Sequence, residues 1–113
     1  MKIYYKASCS TCQQTLKLIE SRGKKAEIVD YLKNPPSIES LENIINVLGI
    51  KPIELVRKKE PLFIEKYKGK KISGKRWLTI LSKNPQLIER PIVIEGNKAI
   101  IGRPPERVLE LIS

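Results

Sequence analysis

Apolar residues follow two periods along this chain, and the switches between them mark the elements. Ile3-Tyr4-Tyr5 is a short β-rich run that predicts a first strand. Ser8-Cys9-Ser10-Thr11 follows as a loop of helix-capping residues. Cys12, Leu16 and Ile19 then recur at helical spacing, and Gly23 marks the end of that helix. Ala26-Glu27-Ile28-Val29-Asp30-Tyr31 predicts a second strand. Strand, helix, strand in this order predicts a parallel pair joined by a right-handed crossover.

Asn34-Pro35-Pro36 breaks the pattern, and Ser37 then caps a helix with Glu39 in its first turn. Ile38, Leu41, Ile44, Ile45 and Leu48 give that helix one apolar face, and Gly49 stops it. Pro52 opens a short helix holding Ile53, Leu55 and Val56. A further helical piece is expected from Pro61 to Lys70 around Leu62, Phe63 and Tyr67. Ser73 caps a helix using Trp77, Ile80 and Leu81, which ends near Asn84-Pro85. The last third returns to strands. Ile92-Val93-Ile94 and Ala99-Ile100-Ile101 flank Glu95-Gly96-Asn97-Lys98, where Gly-Asn suits a tight antiparallel hairpin. Pro104 and Pro105 open a final helix carrying Val108, Leu109 and Ile112. The expected fold is α/β: βαβ, a helical insertion at about 37–85, then ββα, in one domain over 1–113 with a mixed four-stranded sheet.

Composition narrows the chemistry. The 113 residues suffice for a hydrophobic core without structural staples. Histidine is absent, which removes the commonest general base and most zinc sites. Chemistry must therefore run on Cys, Arg, Lys, Tyr or carboxylates. The start, Met1-Lys2-Ile3-Tyr4-Tyr5-Lys6, has no apolar stretch of signal-peptide length, and no run approaches a membrane span, so a cytoplasmic protein with no membrane contact is expected. In that compartment most thiols stay reduced, so two close cysteines suggest catalysis or metal more than a staple. The net charge of +10 is spread along the chain, densest from Lys66 to Arg76, and fits a lysine-rich solvated surface or a patch for an anionic partner. That stretch holds few aromatics, and no base-reading motif supports direct nucleic-acid binding.

Cys9-Ser10-Thr11-Cys12 is a C-x-x-C motif at the start of a helix. Residues three apart share a helical face, with Cβ atoms about 5–6 Å apart. A disulfide wants about 3.8 Å, so a small adjustment closes the bond. The leading cysteine meets the free N–H groups of the helix start, which favour its thiolate. Cys9 is then the expected nucleophile, and Cys12, one turn inside, the thiol that resolves a mixed disulfide. The alternatives are two ordinary buried cysteines, or half of a zinc site; zinc wants about four ligands and this chain supplies two. A C-x-x-C beside βαβ points to a thioredoxin-like redox site with no bound cofactor and no metal. Pro91, leading a β-rich run, is a candidate cis-proline or a plain proline at a strand start.

Over its whole length the chain resembles the arsenate reductase (ArsC) family of the glutaredoxin-linked type, which includes the Spx regulators. The resemblance is carried by Cys9 to Leu16, Tyr31-Leu32-Lys33-Asn34-Pro35-Pro36-Ser37, Leu55-Val56-Arg57-Lys58-Lys59-Glu60-Pro61, Arg90-Pro91-Ile92-Val93 and Gly102-Arg103-Pro104-Pro105. It implies a thioredoxin-like fold in which Cys9 attacks arsenate and Arg57, Arg90 and Arg103 bind the oxyanion. Paired guanidinium donors suit a tetrahedral anion and would depress a nearby thiol pKa. The resemblance also implies glutathione with glutaredoxin, or thioredoxin, as electron donor. The partner is then a small oxyanion or a protein thiol or disulfide. Reductases of this type carry Asn-Pro before the nucleophile and an arginine after it; Lys6-Ala7 and Gln13 stand there in this chain. Lys6 offers a replacement cation. C-x-x-C is instead an Spx feature, which implies as alternative a redox-switched regulator contacting the RNA polymerase α subunit.

Overall fold

Four short strands carry the fold. The structure, a computed structural model, describes residues 1–112. The strands are β1 (Lys2–Tyr5), β2 (Glu27–Asp30), β3 (Ile92–Glu95) and β4 (Lys98–Ile101). They form one mixed sheet in the order β2-β1-β3-β4. β1 runs parallel to β2 and antiparallel to β3, and β3 is antiparallel to β4. The helix α1 (Ser10–Ser21) joins the parallel pair. This is the α/β arrangement expected from the order of elements, and the thioredoxin-like fold that the family resemblance implies.

The register explains the core. Ile3 pairs with Val93, and Val93 with Ile100, so three β-branched side chains lie side by side on one face. They cluster with Ile19 of α1 and with Val108, and all five are buried. Burial of each such side chain stabilises by about 1.5–3 kcal/mol. β2 lies at the edge, where Ile28 stays 52% exposed although it pairs with Ile3. The strand is shorter than the apolar run because Asp30 turns the chain: its Oδ1 accepts the N–H groups of Leu32 and Lys33 at 3.2 and 3.3 Å. Tyr31 leaves the sheet there and is fully buried. On α1 the buried stripe is Cys12, Thr15 and Ile19, with Leu16 half-buried. A hydroxyl sits in this core because Thr15 Oγ1 donates to the Thr11 carbonyl at 2.8 Å.

The hairpin turn has positive φ at Gly96, 59°, and not at Asn97. That pattern belongs to type II′ turns, which match the twist of paired strands. The closing segment is tighter than an α-helix at first. A 3₁₀ turn (Pro105–Val108) precedes a final α-helical turn (Leu109–Ile112).

The chain forms two compact units, 1–34 with 90–113, and 35–89. The second unit is helical: α2 (Ile38–Leu48), a 3₁₀ turn (Pro52–Leu55), α3 (Pro61–Lys66), α4 (Gly74–Lys83) and a 3₁₀ turn (Pro85–Leu87). Ser37 and Ser73 cap α2 and α4, accepting from the N–H groups of Ser40 and Arg76. Gly49 ends α2 in the left-handed conformation at φ 68°. α3 stops at Tyr67, short of the expected Lys70. Trp77 of α4 lies against Phe63 and Tyr67, with ring centroids 6.2 and 5.5 Å away.

Candidate active site

The loop between β1 and α1 is built by its backbone. The Cys9 N–H donates to the Lys6 carbonyl at 3.0 Å, and the Cys9 carbonyl accepts from Gln13 at 3.1 Å, beginning the helix. Gln13 Nε2 reaches back to the Ala7 carbonyl at 2.6 Å. The glutamine that stands in the place of an arginine therefore closes the loop. Cys9 is the N-cap residue of α1 in extended conformation, and Cys12 is its third helical residue. Both cysteines are reduced and buried; Cys9 keeps 8% of its surface exposed and Cys12 none.

Two arginines meet Cys9. Arg103 Nη2 lies 3.7 Å from Cys9 Sγ, and its Nη1 lies 3.5 Å from Thr11 Oγ1. Its Nε donates to the Arg90 carbonyl at 2.7 Å, which fixes the plane of the guanidinium. Arg90 is itself buried, and its guanidinium interacts electrostatically with the Cys9 thiol and the Tyr31 hydroxyl. Burial disfavours its charge, but these two neighbours outweigh that and hold it above the ordinary arginine range. The Arg90–Pro91 bond is cis, the isomer considered for Pro91, and Arg103–Pro104 is cis as well. Gly102 brings the end of β4 against Pro91, donating to its carbonyl at 2.8 Å.

These contacts split the two thiols. Burial pushes Cys9 up, but the Cys12 backbone N–H, the Cys12 thiol and Arg90 together lower it from 9.0 to about 7. The N–H contact falls short of a well-formed capping hydrogen bond. Burial pushes Cys12 up to about 12; the Lys6 N–H opposes this, while the Cys9 thiolate adds to it. Lys6 thus acts here through its backbone N–H and carbonyl. Alkylation of Cys9 by iodoacetamide is expected to rise with pH around a midpoint of about 7 and to level off above it, because only the thiolate attacks. Mass spectrometry across a pH series locates the label; a midpoint near 9 would contradict the assignment.

Arg57 belongs to the helical unit. Its N–H donates to the Leu87 carbonyl at 2.6 Å, beside a Val56–Ile88 bridge, and its Nε lies 3.7 Å from Glu60 Oε2. Thr11, Tyr31 and Gly102 are site residues that periodicity did not reveal. Their available signals were slight: Thr11 is an interior position of C-x-x-C, Tyr31 is an aromatic at the end of a strand, and Gly102 immediately precedes an arginine. Among the described residues, no group of three or more His, Cys, Asp or Glu could hold a metal, and no helix is long and apolar enough to cross a membrane.

A mixed sheet with a two-cysteine turn at its first strand-to-helix junction, flanked by buried arginine, defines a thioredoxin-like thiol protein. The chain belongs to the ArsC family, whose model matches residues 4–111. It is 38% identical to an arsenate reductase of Haemophilus influenzae over 97% of both chains. It is 39% identical to the uncharacterized protein YfgD of Escherichia coli, over 99% of this chain and 96% of that one. The solved arsenate reductase from Vibrio cholerae superposes with a TM-score of 0.92 at 37% identity, covering 100% of this chain and 98% of that one.

Proposed function

We propose that this protein is a thiol oxidoreductase of the arsenate reductase type, with Cys9 as nucleophile and Cys12 as resolving thiol. The observation that supports it most is Cys9 Sγ held by Arg103 at 3.7 Å and by Arg90, with a second thiol one helical turn away. The relatives named arsenate reductase support the choice of oxyanion.

In this reading Arg90 and Arg103 bind arsenate beside the sulfur. The Cys9 thiolate attacks arsenic; an S–As bond forms, and one oxygen takes a proton and leaves as water. The Cys12 thiolate then attacks Cys9 Sγ. The S–S bond forms, the S–As bond breaks, and its electron pair stays on arsenic, which departs as arsenite. Two thiols have given two electrons, and the Cys12 proton passes to solvent. Modification of Cys9 aids the second step, because it removes the thiolate charge that helped to hold Cys12 protonated. Glutathione with glutaredoxin, or thioredoxin, then returns two electrons to the disulfide.

The test is a thiol count on the reduced chain with arsenate and no added thiol. Two thiols should disappear for each arsenite formed. Cys12→Ser should form no arsenite until glutathione is added. Absence of arsenite with either glutathione and glutaredoxin or thioredoxin present would overturn the arsenate reading.

A further inference from the structure

We propose that the same site reduces small hydroperoxides, with Arg103 and Thr11 holding the two peroxide oxygens against Cys9. This rests on the reading of Cys9 as nucleophile and Cys12 as its resolving partner. It adds a substrate class that carries no negative charge.

The geometry is that of a two-point holder. One Arg103 nitrogen lies 3.7 Å from Cys9 Sγ and the other 3.5 Å from Thr11 Oγ1. The guanidinium plane is locked by the 2.7 Å bond from Nε to the Arg90 carbonyl. A ligand with two adjacent oxygens fits this spacing: one oxygen faces the sulfur, and the other faces Thr11 and the second nitrogen. Cleavage of an O–O bond by a thiolate builds negative charge on the departing oxygen, and preorganised donors aimed there lower the barrier. Arg103 supplies such a donor without reorganising. The Thr11 hydroxyl can both accept from Arg103 and donate to the departing oxygen.

Access selects small molecules. Only 8% of Cys9 is exposed, so hydrogen peroxide or a short alkyl hydroperoxide reaches the sulfur more readily than a bulky lipid hydroperoxide. Cys12 is fully buried and is protected from direct attack. The step balances as follows. The Cys9 thiolate bonds to one peroxide oxygen, the O–O bond breaks, and the other oxygen leaves as water or an alcohol after taking a proton. Cys9 becomes a sulfenic acid, oxidised by two electrons. The Cys12 sulfur then attacks Cys9 Sγ, the S–S bond forms, and the hydroxyl leaves as water. A small dithiol reduces the disulfide. A trap one turn away also limits further oxidation of the sulfenic acid.

The experiment mixes the reduced full-length chain with hydrogen peroxide and follows thiol loss. Each rate is divided by the iodoacetamide alkylation rate of Cys9 at the same pH, so that thiolate content cancels. This ratio should exceed that of free cysteine at least tenfold. Thr11→Val, which keeps the shape and removes the hydroxyl, should lower it at least tenfold. Cys12→Ser should accumulate a sulfenic acid at Cys9 that dimedone captures. A ratio equal to that of free cysteine, or one unmoved by Thr11→Val, overturns the proposal. Arsenate run in parallel separates the two readings: arsenite formation with a cysteine-like peroxide ratio sinks only the peroxide activity, and the reverse sinks only the oxyanion activity.

Discussion

Replacing Cys9 by serine is expected to abolish arsenate-dependent oxidation of the remaining thiol, a loss of at least about a thousandfold. Two effects act together. A serine hydroxyl at neutral pH is almost wholly protonated, whereas the Cys9 thiol is poised at about 7 and is half ionised. Oxygen also cannot share a disulfide with Cys12, so the route for the electron pair is lost along with the nucleophile. The small change in size leaves the fold intact, because the cap position of α1 accepts serine well. Arsenite release measured beside the denaturation midpoint separates chemistry from stability. Retained turnover at a tenth of the normal rate would remove Cys9 from the mechanism.

Gly102→Ala is expected to destabilise the protein by about 1–3 kcal/mol, the range for overpacking a closed site. A Cβ there would lie 2.9 Å from Pro91 Cγ, 2.9 Å from Thr15 Oγ1 and 3.3 Å from Thr15 Cγ2. Neither neighbour yields easily. Thr15 is fully buried and bonded to the Thr11 carbonyl, while Pro91 is a buried ring whose carbonyl accepts the Gly102 N–H. Backbone strain is not the cause, since Gly102 is not among the positive-φ glycines. The damage should spread to the chemistry, because the next residue is Arg103. The urea midpoint should fall, and Arg103 should lose its 3.7 Å approach to Cys9 Sγ. An unchanged urea midpoint would mean that the contact has slack.

Much of the fold was legible because local rules agree with one another. The helix starts at Ser37 and Ser73, the stop at Gly49 and the hairpin at Gly96 each follow from one residue's own chemistry. Apolar periodicity did not reveal positions whose burial depends on a side chain's polar partner. Cys12, Leu16 and Ile19 were the expected stripe of α1, and Thr15 joins them in the core, its hydroxyl satisfied by a carbonyl on its own helix. Tyr31 looked like the end of a strand, yet it turns inward to Arg90.

The order of strands and helices, the C-x-x-C spacing and the leading position of Cys9 on its helix were determined by the sequence alone, because each depends on residues within one turn or one hairpin. Tertiary structure decided which charges meet the sulfur. Arg90 and Arg103 are 81 and 94 positions along from Cys9, and Thr11 joins them only because β3 returns beside β1 and β4 beside β3. A thiol's acidity is set by the field of groups within a few ångströms, and no local pattern states which distant groups those are.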